Sequence, residues 1–236
     1  MTETVFPAPE WPLLEIAGEA ARFPVRRVFC VGRNYAAHAA EMGNEVDREA
    51  PFYFTKSALS VIPSGTALPY PPGTENFHHE MELVVAIGAP AFRTPQDRAL
   101  EVVFGYAAGL DMTRRDLQDK AKAGRRPWDL GKDLEGGAVI GPIARRTEPD
   151  RYGTPGADTA ISLKLSAETR QNASLADMVW TVPELIADLS KYYHLAPGDL
   201  IMTGTPAGVG AVHPGDDLDG EIAGLPPVRL KIAAPE

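Results

Sequence analysis

Apolar and polar positions in this chain mostly repeat every second residue, and only a few short stretches show a helical period. The runs VRRVFCV (25–31), PFYFTK (51–56), HHEMELVVAIG (78–88), GYAAGLD (105–111), ISLKLSAE (161–168) and LIM (200–202) read as strands. Helical stretches are fewer. Ala36 to Met42 fits a short helix closed by Gly43, and Thr94 with Pro95 and Asp97 makes a helix start. Thr113 to Ala123 fits a helix opened by the T-x-x-D pattern and stopped by Gly124. Thr181-Val-Pro-Glu184 is a capping box ahead of the stripe Leu185, Ile186, Leu189 and Tyr193, and a turn is expected around Thr169 to Ser174. The pattern predicts an α+β fold, predominantly β, with a proline-rich arm at 1–24 and a single domain over 25–236. The 22 Gly and 22 Pro suit many short strands joined by tight turns.

Candidate chemistry starts on the stretch at 78–88. Glu80, Glu82, Val84 and Ala86 share one face and Met81, Leu83, Val85 and Ile87 the other, so one face is core and the other begins with two acids. Two carboxylates so close on a half-buried strand repel each other unless a cation lies between them, and hard oxygen donors suit Mg²⁺, Mn²⁺ or Ca²⁺. E-x-E alone reads first as a solvated strand end with two surface glutamates, so further ligands must come from elsewhere. Asp111, at the mouth of the 105–111 strand, is a natural third.

His38 and Glu41 stand three apart, which on a helix makes them neighbours and lets the carboxylate orient the imidazole as a general base. The alternative is a surface pair worth about 0.2–0.5 kcal/mol. Arg115, Gln118 and Lys122 fall on one helix face, suited to a substrate carboxylate or simply to water. The loop TGTPAGVG (203–210) offers backbone N–H groups to an anion. Lys56 reads as a surface lysine. His78 and His79 point to opposite faces of their strand, which disfavours a zinc site built from both. In RPWDLGKD the glycine spacing is wrong for a nucleotide loop and Asp133 replaces the required Ser or Thr.

The chain has 236 residues and a mass of 25.4 kDa, enough to bury one sizeable core. Its net charge of −9 and pI near 5.1 argue against nucleic-acid and anionic-membrane partners and for a small molecule. Cys30 is the only cysteine, which excludes an intrachain disulfide and a cysteine-based zinc site and fits a reducing cytoplasm. The N-terminal stretch lacks a signal pattern, and no apolar run reaches about 18 residues, which predicts a soluble, unexported protein.

Taken in order, GRNYAAHAAEMG, HHEMELVVAIG, GYAAGLDMTRRDLQ, RPWDLGKD and GDLIMTGTPAGVG resemble the fumarylacetoacetate hydrolase superfamily, from Pro24 to Pro214. FPVRRVFCVGRNYAAHAAEMG and TENFHHEMELVVAIG are most similar to the acylpyruvate hydrolases, among them those that split fumarylpyruvate into fumarate and pyruvate in gentisate breakdown. The resemblance implies a mixed β-sandwich roll, a homodimer and a Mg²⁺ or Mn²⁺ ion held by Glu80, Glu82 and Asp111. It implies His38 with Glu41 as general-base dyad, Lys132 as oxyanion donor, and Arg115, Gln118 and Thr205 as contacts to an α-keto acid. Two other readings share the site or the fold: decarboxylation, tautomerisation or isomerisation of a related keto acid, and a non-catalytic binding protein. One departure stands out. Asp133, Leu134, Glu135, Gly136 and Gly137 follow Lys132, so an acid could pair with the lysine and two glycines could loosen the pocket wall.

Overall fold

The computed structural model describes residues 4–7, 10–41, 43, 48–146, 155–156 and 158–236. Two mixed sheets organise the chain and pack around one core. In the larger, eight-stranded sheet the order is Phe52–Lys56, Arg27–Gly32, Asp199–Met202, Met81–Ile87, Val103–Asp111, Ala138–Ile140 and Val61–Pro63, with Ala144–Arg145 also on Val103–Asp111. The smaller runs Glu168–Ser174, Ala160–Leu165, Asp217–Ile222, Val228–Ala233, Thr66–Pro69. Neighbours are antiparallel except at 199–202 with 27–32, 138–140 with 61–63, and 228–233 with 66–69. The predominantly β, mixed-sheet class is therefore observed. No described helix is long and apolar enough to cross a membrane.

The centre of the larger sheet explains the run MELVVAI. Met81, Leu83, Val85 and Ile87 pack into the core between the sheets, while Val84 and Ala86 join a second cluster with Leu14, Ile16, Phe23 and Ile143. Every residue of this strand is buried. The expectation of a half-buried strand is corrected: the hairpin Leu13–Glu15/Arg22–Pro24 supplies apolar cover on the other face. The two acids are then the polar end of a strand that is apolar on both sides.

Three local readings change. The helix expected from Thr113 begins at Arg115 instead, because Thr113 and Arg114 pair with His78 and Phe77 as a short strand. Asp116 is not part of a capping box but accepts from the Thr74 hydroxyl and the Glu75 N–H. The end at Gly124 holds, its N–H bonding back to Lys120. Thr94 does not cap a helix: a 3₁₀ segment starts at Gln96, and the Thr94 N–H bonds the Ser190 hydroxyl. Residues 169–174, expected as a turn, belong to the strand Glu168–Ser174, because Ser166 and Ala167 adopt left-handed φ of 48° and 73° and reverse the chain ahead of it.

Two helices form where expected. Ala36–Glu41 is followed by Gly43 at φ 68°, with the expected last residue, Met42, outside the described residues. Val182–Leu189 starts at the Thr181/Glu184 capping box, with Val182, Leu185, Ile186 and Leu189 buried. Tyr193 lies beyond the helix end and is 42 % exposed.

Candidate active site

Two adjacent strand ends bring the acids together. Glu80 precedes strand 81–87, Glu82 is its second residue, and Asp111 closes the neighbouring strand 103–111, whose Gly109 pairs with Glu82. One oxygen from each of Glu80, Glu82 and Asp111 lies within 4.8 Å of the others, and all three residues are buried. Buried like charges need compensation, and the site supplies it unevenly. Lys132 Nζ donates to Glu80 Oε2 and Asp111 Oδ2 at 2.7 Å each, and to Thr113 Oγ1 at 2.8 Å, which uses all three of its N–H donors. Arg115 pairs with the other Glu80 oxygen. Lys56 Nζ lies 2.9 Å from Asp111 Oδ1, though off hydrogen-bond angle, and donates to the Met112 and Lys132 carbonyls.

Glu82 alone has no cation among the described ion pairs and accepts only the Gly204 N–H, at 2.8 Å. Burial, then the charges of Asp111 and Glu80, push its carboxyl well above the usual carboxylate range. Burial acts upward on Glu80 too, but Lys132 and Arg115 outweigh it and hold that group low. The Lys132 ammonium is raised, burial opposing and Asp111 with Glu80 prevailing. An under-compensated buried carboxylate among three hard-oxygen donors fits a divalent Mg²⁺- or Mn²⁺-type cation.

The His38 side of the pocket is built by the loop before its helix. Asn34, fully buried, donates to the Trp180 and Thr203 carbonyls and accepts from the Trp180 N–H, which pins the start of helix 36–41. His38 Nδ1 then faces Glu41 Oε2 at 3.3 Å, and Glu41 is held in turn by the Gly208 N–H at 3.1 Å. The glycine-rich loop aims N–H groups at two of the site's own side chains, Gly204 at Glu82 and Gly208 at Glu41. Gly208 has φ 95°, and a Cβ there would lie 2.0 Å from the Arg170 carbonyl oxygen, so only glycine fits. Burial lowers the His38 pKa, against the raising effect of Glu80 and Glu41.

His38, Glu80, Glu82, Arg115, Gln118, Lys132 and Thr205 line one pocket, with Glu41 and Asp111 in contact with His38 and Lys132. Arg115 Nη1 donates to Gln118 Oε1 at 2.5 Å. Thr205 Oγ1 accepts from Gln171 Nε2 at 2.8 Å, which leaves its hydroxyl proton for the pocket. Gln171, absent from the sequence reading, also accepts from the Met81 N–H and faces His79. No sequence pattern marks it: its burial, between exposed neighbours, appears only once 168–174 forms a strand.

Two sequence readings near Lys132 are overturned. Asp133 does not pair with the lysine but accepts from the Ser57 N–H at 2.7 Å. Gly136 and Gly137 do not loosen the wall: Gly136 turns at φ 69° where a Cβ would meet Leu68 at 2.4 Å, and Gly137 bonds back to Leu134. Lys56, read as a surface lysine, is buried against Asp111. Lys56→Ala is expected to lower the unfolding free energy by about 3–5 kcal/mol, read by urea denaturation, because it leaves Asp111 buried with one cation fewer. An unchanged midpoint would show that Lys56 contributes nothing net.

Residues 27–233 match the family model described as Fumarylacetoacetate (FAA) hydrolase C-terminal. The chain belongs to the fumarylacetoacetate hydrolase family. Within that family it is 49 % identical over 197 residues to the fumarylpyruvate hydrolase of a Ralstonia species, covering 83 % of this chain and 100 % of the relative. It is 39 % identical over 209 residues to the mitochondrial oxaloacetate tautomerase FAHD1 of Arabidopsis thaliana, covering 87 % and 90 %. The crystal structure of fumarylpyruvate hydrolase from Pseudomonas aeruginosa in complex with Mn²⁺ and pyruvate superposes with a TM-score of 0.92 at 44 % identity, covering 98 % of this chain and 100 % of that one. The family's hydrolase fold and the carboxylate cluster thus occur together in this member.

Proposed function

We propose that this family member is a metal-dependent hydrolase that cleaves the C–C bond of an acylpyruvate, fumarylpyruvate to fumarate and pyruvate. The observation that carries the reading is one pocket with the buried Glu80, Glu82 and Asp111 cluster at one side and the His38–Glu41 pair at the other. The likeness to fumarylpyruvate hydrolases in sequence and fold supports the substrate.

Glu80, Glu82 and Asp111 would hold Mg²⁺ or Mn²⁺. When bound, the ion would supply Lewis acidity to the keto acid and the positive charge that Glu80 and Asp111 take from Lys132 in its absence. Arg115 and Gln118 orient the substrate carboxylate, and the Thr205 hydroxyl donates to it. His38, kept neutral by burial and oriented by Glu41, takes a proton from water, whose oxygen bonds to the distal carbonyl carbon. Lys132 donates to the oxyanion that forms there, a contribution of about 3–4 kcal/mol. The C–C bond then breaks, its electron pair leaves on the pyruvyl methylene, and a proton completes pyruvate beside the released carboxylic acid. The chain would work as a cytoplasmic homodimer in aromatic-ring catabolism, on the gentisate route, as the resemblance implies.

Oxaloacetate tautomerisation needs the same carboxylate cluster but no attacking water. The 39 % identity to a tautomerase keeps it as a second reading. Mass spectrometry after incubating chelator-treated protein with fumarylpyruvate, with and without added Mg²⁺ or Mn²⁺, separates the two. Fumarate plus pyruvate appearing only with metal is the expected result. Intact substrate in both samples, with enol–keto exchange of oxaloacetate, would replace the hydrolase reading by the tautomerase one.

A further inference from the structure

Three aromatic rings stand together at the pocket, and each carries one cation. The Phe52 and Phe54 centroids lie 4.8 and 5.9 Å from that of Trp128. The Arg33 guanidinium sits 5.6 Å from the centre of Phe52, the Lys122 ammonium 5.2 Å from Trp128, and the Lys132 ammonium 5.0 Å from Phe54. The cations differ in what else holds them. Lys132 is buried and ion-paired to Glu80 and Asp111. Lys122 is half-buried, with only the exposed Asp119 carboxylate at 3.6 Å. Arg33 is exposed and has no carboxylate partner among the described residues.

The backbone holds Arg33 where it is. Its φ of 59° lies in the left-handed region that side chains other than Asn and Asp seldom occupy, and such strain collects at binding sites. The preceding Gly32 makes room for the ring below: a Cβ there would lie 2.5 Å from Phe52 Cδ1. Phe52 therefore packs onto bare backbone, and the turn at Arg33 lays the guanidinium over its ring. A guanidinium held by its face keeps its in-plane N–H donors free for a carboxylate.

Charge places the need at this outer end. Lys56, Arg115 and Lys132 are each ion-paired to Asp111 or Glu80, so every cation at the inner end already has a carboxylate partner. Arg33 and Lys122 are the pocket-lining cations not committed to that cluster. We propose that Arg33 and Lys122, presented on Phe52 and Trp128, form the subsite for the distal carboxylate of a dicarboxylic substrate, and that they make the chain select dianionic over monoanionic 2-oxo acids. The inference rests on the 2-oxo-acid reading of the inner site given above.

The test is binding, independent of turnover. Calorimetry on the Mn²⁺-loaded protein would compare 2-oxoheptanedioate with 2-oxoheptanoate, which match in chain length and differ only in the distal carboxylate. The wild type is expected to bind the diacid at least about tenfold more tightly, a usual effect of a charge-assisted carboxylate contact. The double variant R33Q/K122Q should bring that ratio below about threefold while leaving affinity for the monoacid within about twofold. A ratio retained in the double variant, no preference in the wild type, or no binding of the diacid would each overturn the subsite. A wild type that prefers the diacid yet leaves fumarylpyruvate intact would keep the subsite and lose the hydrolase reading.

Discussion

Glu82→Gln is expected to abolish divalent-cation binding and, in the metal-free protein, to raise the melting temperature. Both effects follow from one fact: Glu82 is buried beside two other carboxylates and has only the Gly204 N–H to compensate it. Without a cation its carboxyl is pushed up by burial and by Asp111 and Glu80. The native state then holds a proton that the unfolded chain, with a glutamate near about 4.3, has released, so this group's contribution to stability falls as pH rises through that window. Glutamine keeps the shape and removes the penalty. The gain in melting temperature should therefore grow from pH 5 to pH 8, at about 2–4 °C for each kcal/mol recovered. Added Mn²⁺ should stabilise the wild type and leave the variant unmoved, with turnover down more than about 100-fold. Calorimetric Mn²⁺ affinity equal to wild type would remove Glu82 from the ligand set, and a lower melting temperature would refute the charge argument.

His38→Ala separates chemistry from metal binding. It should cut kcat/KM for fumarylpyruvate by about 10²–10⁴-fold, the usual contribution of a positioned base, with Mn²⁺ affinity within error of wild type. The pH profile gives a second, sharper readout. Burial lowers the His38 pKa, and a base works in its neutral form, so the acid limb of kcat/KM should fall below the ordinary value of 6.5. The Glu41 contact raises that pKa, so Glu41→Gln should move the limb further toward acid while kcat falls, since the imidazole loses its orienting partner. A limb that stays in place in both variants would assign it to another group. Metal affinity lost with His38 would instead make the residue structural.

Which parts of the site the linear chain discloses follows the range of the interactions. Glu80 and Glu82 share a strand face by the two-residue period, and His38 and Glu41 meet through one helical turn, so both pairs are legible from spacing alone. Asp111 is recognisable only as an acid at a strand mouth, since its partners lie on other strands. Lys56 is invisible as a site residue because its burial depends on Asp111 and on the Lys132 carbonyl, 55 and 76 positions away in the chain. The same holds for Asp133, which accepts from the Ser57 N–H rather than pairing with its neighbour Lys132.

By itself the sequence determined the predominance of short strands, the helices at 36–41 and 182–189, the acids facing one way at 80 and 82, and the spacing of His38 and Glu41, because each depends on backbone geometry within about four residues. Only the tertiary structure decided that strand 81–87 is buried on both faces, that the glycine-rich loop aims its N–H groups at Glu82 and Glu41, and that Lys132 spends all its donors inside the acidic cluster. Those outcomes depend on which remote groups share a low-dielectric interior, where each buried charge must find a counter-charge or a hydrogen bond. Chain spacing does not encode that pairing; the packing of the two sheets does.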